Sequence, residues 1–261
     1  MSRIWKFTDL EFVVLWEQMR EDVMPRPFVF TTDIPLEEDY QRELHRIRER
    51  LRYTIDPAVP QLMMDIARPD LSVLVRGIDG KNPDNPEGSI RMIAARREDR
   101  GYLLTQLPGR TVHHSEGFTI TECDVLRLAD VVVAALPKAP AGKQNRVTLR
   151  VPPDHDGMDH GYGESGLWDS HEDTDDAHSQ RFLTTVPATV GGIEVCQGIS
   201  RFGPRGRVAR YLEWRDLPDD GRYVITQDTP PIAIPVDAKQ LTAQINAEIT
   251  FVVRAIRDDR T

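Results

Sequence analysis

Cysteine is scarce: two in 261 residues cannot build a disulfide framework. A reducing compartment, the cytoplasm, is the expected location. Long apolar runs are missing as well, and none approaches the ~20 residues that cross a bilayer. The start, Met1-Ser-Arg-Ile-Trp-Lys6, does not lead into the apolar stretch of a secretion signal. No membrane insertion is therefore expected. Basic charge is in deficit, with 33 Lys and Arg against 42 Asp and Glu and a net charge of −9. That balance opposes nucleic-acid binding, because affinity for a phosphate backbone comes from Lys and Arg displacing counterions. No nucleic-acid partner is expected. What is present is an apolar share of 39% in a chain of 261 residues. At roughly 150 residues per domain, that makes one large domain or two small ones sharing a sheet.

The acidic charge is unevenly placed. Residues 151–180 hold nine acids (Asp154, Asp156, Asp159, Glu164, Asp169, Glu172, Asp173, Asp175 and Asp176) and no Lys or Arg, so this stretch alone equals the net charge. Within it, 153–172 has four glycines and few large apolar residues to offset its ordering entropy. It reads as an extended acidic connector between two folded halves.

The first half opens on a capping box, Thr8-Asp-Leu-Glu11. The helix that follows, through Met19, carries Phe12, Leu15, Trp16 and Met19 on one face. After Pro25 and Pro27, the steps between Leu36, Tyr40, Leu44, Ile47 and Leu51 predict a second helix lying across a core. A third, from about Pro57 to Ala67, stops before Arg68-Pro69. The period then changes to two: Leu71, Val73 and Val75 form one strand, Ile90, Met92 and Ala94 another, and Tyr102 to Leu107 a third. A turn-rich connection, 79–88, separates the first two. A shorter fourth strand is expected near Arg110 to His114. A cap at Thr121-Glu-Cys-Asp124 then starts a helix with Val125, Leu128, Val132 and Leu136 inward, ended by Pro137.

The second half repeats the plan, with strands around Ile193–Ile199, Arg207–Trp214, Arg222–Gln227 and Ile232–Pro235 and a closing helix from about Val236 to Ile256. A gap-free shift of 121 residues superposes Gly77-Ile78 on Gly198-Ile199, Pro83 on Pro204, Asp99 on Asp220, and Tyr102-Leu-Leu-Thr-Gln106 on Tyr223-Val-Ile-Thr-Gln227. An internal duplication follows. Two such sheets are expected to join across a pseudo-twofold axis with helices packed on them, an α+β arrangement.

Few residues suggest bond chemistry. Gly161-Tyr-Gly-Glu-Ser-Gly166 spells a dinucleotide fingerprint but lacks the strand and helix that give it meaning. Ser165 lacks the second glycine of a nucleophile elbow, since Leu167 stands there. His155, His160, His171 and His178 sit among carboxylates and leave a metal-binding or metal-dependent reading of 154–178 as the alternative. Asp154-His-Asp-Gly157 places its glycine too early for an EF-hand. His113 and His114, as strand neighbours, would point to opposite faces. Cys123, at the expected helix start, is either a reactive thiol or a small buried side chain, and Cys196 reads as core. Arg201, Arg205, Arg207 and Arg210 decorate a hairpin, either to grip an acidic partner or to guard an edge. With no acid and base pair, nucleophile and base pair or phosphate cradle, a binding protein is expected.

Several segments, in this order, resemble the EspG family, the cytosolic chaperones of mycobacterial type VII (ESX) secretion and their actinobacterial relatives. They are Leu10-Glu-Phe-Val-Val-Leu-Trp-Glu17 followed by Pro25-Arg-Pro-Phe28, Ile66-Ala-Arg-Pro69, Ala134-Ala-Leu-Pro137 with Ala141-Gly142, and Glu213-Trp-Arg-Asp216 with Asp220-Gly-Arg-Tyr223. The resemblance implies one domain, 1–261, with two pseudo-symmetric halves (about 1–151 and 173–261) joined by the acidic linker 153–172. Its fold would be α+β, a duplicated pseudo-twofold antiparallel β-sheet with flanking helical bundles. It implies no catalysis and no cofactor. Such a protein binds a PE-PPE heterodimer through the apolar tip of PPE, using its sheet, its C-terminal helical bundle and the loop between its second and third strands. On this chain that loop is 79–88, and its polar residues Asp79, Lys81, Asn82, Asp84, Asn85 and Glu87 are the expected partner contacts. A homodimer that pairs through a sheet edge is a further reading.

Overall fold

Thr8 starts the first helix as its side chain implies: its hydroxyl accepts from the Glu11 amide at 3.2 Å and the Glu11 carboxylate accepts from the Thr8 amide at 2.9 Å. The structure, a computed structural model, describes residues 2–19, 23–149 and 170–260. Before that helix, α1 (Asp9–Glu17), lies a short strand, β1 (Ile4–Phe7). The amphipathic pattern then yields α2 (Glu37–Thr54) and α3 (Val59–Ala67). Leu44, Ile47 and Leu51 are buried as expected, but Leu36 is the exposed N-cap of α2 and outside its apolar face.

Four strands follow, β2 (Leu71–Asp79), β3 (Ile90–Arg97), β4 (Arg100–Pro108) and β5 (Ser115–Cys123), then α4 (Leu128–Ala135). The second half comprises β6 (Val147–Thr148), α5 (Ser170–Thr184), β7 (Thr189–Gln197), β8 (Ala209–Leu217), β9 (Gly221–Ile225), β10 (Ile232–Pro235) and α6 (Ala238–Arg260). The described strands form one antiparallel sheet in the order β1-β5-β4-β3-β2-β7-β8-β9-β10-β6. From the central β2 and β7 pair, the arms run outward in chain order as far as β5 and β10, and β1 and β6 are added outside them.

The twofold passes between Val75 and Ile193, which pair across β2 and β7. Around them Pro69, Gly80, Pro86 and Gly88 recur as Pro187, Gly198, Pro204 and Gly206 at one constant spacing, shorter than 121. The Gly80 amide donates to the Ala188 carbonyl at 3.1 Å and the Gly198 amide to the Asp70 carbonyl at 2.9 Å. A Cβ on either glycine would sit 2.3 Å from the Pro187 oxygen or 1.8 Å from that of Pro69. Only hydrogen fits. The 121-residue superposition holds further out, where Tyr102 and Tyr223 are both buried, because extra residues between β7 and β9 lengthen the second copy.

Two faces of the sheet are covered differently. Against one, α4 and α6 bury Leu71, Val73 and Val75 of β2, Ile193 and Val195 of β7, and Trp214 of β8. On the other, α1 to α3 cover Ile93, Ala95, Leu104, Phe118 and Ile120, with the Phe12 and Phe118 rings stacked 4.0 Å apart. Phe182 of α5 covers Tyr223 and Ala233 at the far end of that same face.

Several expectations need correction. Residues 110–114 form a turn, and the fourth strand is β5, where Phe118 and Ile120 alternate with polar residues into the core. Thr121, Glu122 and Cys123 are strand, so the cap shifts to Asp124, whose carboxylate accepts from the Leu126 amide at 2.8 Å. The four-residue β1 and two-residue β6 were too short to register as periodic patterns. Helix α5 begins inside the stretch expected to be linker; the rest of 153–172 lies outside the described residues. A strap from Pro137 onward also crosses to the second half: the Gly142 amide donates to the Arg222 carbonyl, and β6 pairs with β10.

Candidate functional site

On the face that carries α1 to α3 at one end and α5 at the other, the middle of the sheet bears no described helix. Leu74, Arg76 and Ile78 of β2, Gly192 and Glu194 of β7, and Tyr211 and Glu213 of β8 floor a groove of about 600 Å³. Its near wall is the segment Arg26–Val29. Gln106 fixes that wall, donating to the Val29 carbonyl at 2.5 Å and accepting from the Val29 amide at 3.1 Å. Phe28 anchors it edge-on against Phe118 at 5.4 Å. Beyond the groove, Arg215 donates to the carbonyls of Phe182 and Thr185, each at 3.2 Å.

Gly191 and Gly192 make this floor possible. A Cβ on Gly191 would strike the Trp214 ring at 2.2 Å on the helix-covered face, and one on Gly192 would meet the Tyr211 hydroxyl at 2.2 Å. The Tyr211 ring therefore lies over bare backbone. Glycine inside a strand often marks such a close approach, and this pair was the sequence signal that could have located the groove.

Charge in the groove is unbalanced. Glu194 faces Arg26 at 3.8 Å, and Glu213 acts on Arg215. Arg76 and Arg91 stand directly opposite each other on β2 and β3, and neither makes an ion pair with a described carboxylate. Arg91 is only 8% exposed and donates to the Val112 carbonyl at 2.8 Å. Burial and the neighbouring Arg76 both pull its pKa below the usual guanidinium range. Burial, helped by Glu213 and Glu194, pushes the Tyr211 phenol up.

At one end of the central strands the 79–88 loop is self-organised. Asp79 accepts from the amides of Lys81 (2.8 Å) and Asn82 (3.1 Å) and from the Asn85 side chain (3.0 Å). These three donors, the Asn85 amide group foremost, hold its carboxyl below the usual range. Asn85 in turn caps the turn Pro86–Gly88, accepting from the Glu87 amide at 3.2 Å.

The sequence model of the EspG family matches residues 8–247. The chain belongs to the EspG family. The fold agrees: the Mycobacterium tuberculosis type VII secretion system chaperone EspG5, in a structure with a PE25-PPE41 dimer, superposes with a TM-score of 0.55 at 15% identity, covering 95% of this chain and 96% of that one. Among curated proteins none matches.

In this EspG chain the six expected contact residues divide. Asp79 and Asn85 are spent on holding the loop, whereas Lys81, Asn82, Asp84 and Glu87 are exposed. The groove residues were not foreseen, because a gap in helical cover leaves no local pattern. Cys123 ends a strand and starts no helix. Burial pushes its thiol up to about 11 and that of Cys196 to about 12, the opposite of activation. His113 and His114 lie in the 109–114 turn, where His114 contacts Thr111 at 2.7 Å and Arg110 at 2.9 Å. On the arginine hairpin, Arg210 pairs with Glu248 at 2.7 Å and covers Phe251, while Arg201, Arg205 and Arg207 are exposed. The side chains of His155, His160 and His171, with Gly161–Gly166, lie outside the described residues; His178 is exposed on α5. Among the described residues no three His, Cys, Asp or Glu side chains are grouped to hold a metal ion, and no described helix is long and apolar enough to cross a membrane.

Proposed function

We propose that this EspG protein is a cytoplasmic type VII secretion chaperone that binds a PE-PPE heterodimer through the apolar tip of PPE and makes or breaks no bond. Its two halves and the acidic stretch between them act as one domain. The observation that carries this reading is the family match over residues 8–247. The structural relative that binds a PE-PPE dimer adds support. An apolar patch of several hundred Å² on a client is an aggregation liability, and covering it at ~25 cal/mol per Å² drives binding. Association entropy offsets much of that gain and leaves an affinity weak enough for hand-over.

Within the 79–88 loop, Lys81, Asn82, Asp84 and Glu87 meet the client, while Asp79 and Asn85 hold the loop's shape. The test is co-expression with each PE-PPE pair encoded in the same genome, followed by size exclusion. Co-elution with a pair is expected; a chain that elutes alone in every case overturns the reading. Replacing the four exposed loop residues with serine should weaken the complex and leave the circular dichroism spectrum unchanged. Unaltered affinity would remove the loop from the contact surface.

A further inference from the structure

Arg76 and Arg91 are cross-strand neighbours on the uncovered face. Like charges directly opposite one another on a sheet are destabilising. Arg91 uses one nitrogen on the Val112 carbonyl. Its other donors find no acceptor among the described residues, and the side chain lines the groove. Arg76 is exposed beside it with no described carboxylate in ion-pair range. Two acids share the floor: Glu194 faces Arg26 at 3.8 Å, Glu213 acts on Arg215, and neither stands in ion-pair range of Arg76 or Arg91. In a chain of net charge −9, this is an uncompensated pair of planar forks shaped for a carboxylate. Leu74, Ile78 and the Tyr211 ring flank it.

We propose that Arg76 and Arg91 clamp an Asp or Glu side chain on the docking tip of the client polypeptide, while Leu74, Ile78 and Tyr211 receive the apolar residues beside that acid. The clamp rests on the chaperone reading and adds to it a rule of selection. Tips with a carboxylate next to their apolar residues bind more tightly than purely apolar tips, and basic tips bind least.

The experiment compares the wild-type chain, Arg76→Gln and Arg76→Glu against each PE-PPE pair encoded in the same genome, by calorimetry at low and high salt. Arg76 is exposed, so both variants should fold, as circular dichroism and thermal melts will show. Loss of one charge-assisted contact should weaken binding by about tenfold in Arg76→Gln, and further in Arg76→Glu, with a flatter salt dependence. A tip variant with its acid changed to Lys should bind Arg76→Glu better than it binds wild type. If wild type captures a pair and both variants match its affinity, the clamp is wrong and the chaperone reading stands. An Arg76-dependent dimer of this chain in sedimentation, or displacement of the client by inorganic phosphate at low concentration, overturns the clamp as well. If wild type captures no pair, both readings fall.

Discussion

The Arg222 guanidinium forks onto the Asp216 carboxylate, Nε to Oδ1 at 2.7 Å and Nη2 to Oδ2 at 2.8 Å, with both side chains almost out of water. Arg222 also donates from Nη2 to the Pro137 carbonyl at 2.8 Å and exchanges backbone bonds with Pro140 and Gly142. One residue thus joins β8 and β9 to the strap that crosses from the first half.

Removing one partner of a buried ion pair strands the other, at a cost of about 3–5 kcal/mol. Arg222→Ala should lose stability on that scale in urea titration. Hydrogen exchange should show the amide of Gly142, which donates to the Arg222 carbonyl, losing protection well before those of β2. A loss under about 1 kcal/mol would mean that the pair is not a keystone.

Gly191→Ala and Gly192→Ala should differ although the residues adjoin. The first forces a methyl into the Trp214 ring and the Arg76 carbonyl, at 2.2 and 2.4 Å, neither free to yield. Overpacking of this kind costs about 1–3 kcal/mol. The second pushes only on the outer end of Tyr211, a side chain 42% exposed that can swing aside. Thermal melts should rank Gly191→Ala clearly below Gly192→Ala, while client affinity should respond to Gly192→Ala through the displaced ring.

Local codes made the helices and most strands legible. Thr8 and Glu11 write a cap within four residues, and the repeat of Leu44, Ile47 and Leu51 is contained in α2 itself. Strand β5 was misplaced because Thr121 and Asp124 imitate a cap, although the alternation of Phe118 and Ile120 pointed to a strand. The groove was not legible. It exists because β2 pairs with a strand more than a hundred residues away, and because α1 to α3 stop at Ile93 while α5 begins beyond Glu213. The adjacency of Arg76 and Arg91 depends on the register that the 79–88 loop imposes on β2 and β3, which no periodicity reveals.

Asp79 predicts an acid-resistant loop. Its donors favour the carboxylate and its folded pKa is depressed, so the latch is in place at neutral pH and across the usual carboxylate range. It opens only as pH falls below that range. Amide exchange at Lys81 and Asn82 should stay slow until then, whereas Asp79→Asn, which removes the charge, should speed both at neutral pH.

The two thiols should be inert. With pKa values of about 11 for Cys123 and about 12 for Cys196, roughly one in a thousand or fewer is thiolate at pH 8. Iodoacetamide should label the native protein more slowly than the urea-unfolded chain, and rapid native labelling of either half-buried thiol would contradict its raised pKa.

Among the described residues, the sheet ends in two of its shortest strands, four residues of β1 on one margin and two of β6 on the other. Unpaired strand margins invite neighbouring chains to add themselves on. Among the described residues, these outermost strands give stray polypeptides few rungs to climb. Crowded beside many copies of itself, it should stay dispersed without sacrificing the broad middle of its platform.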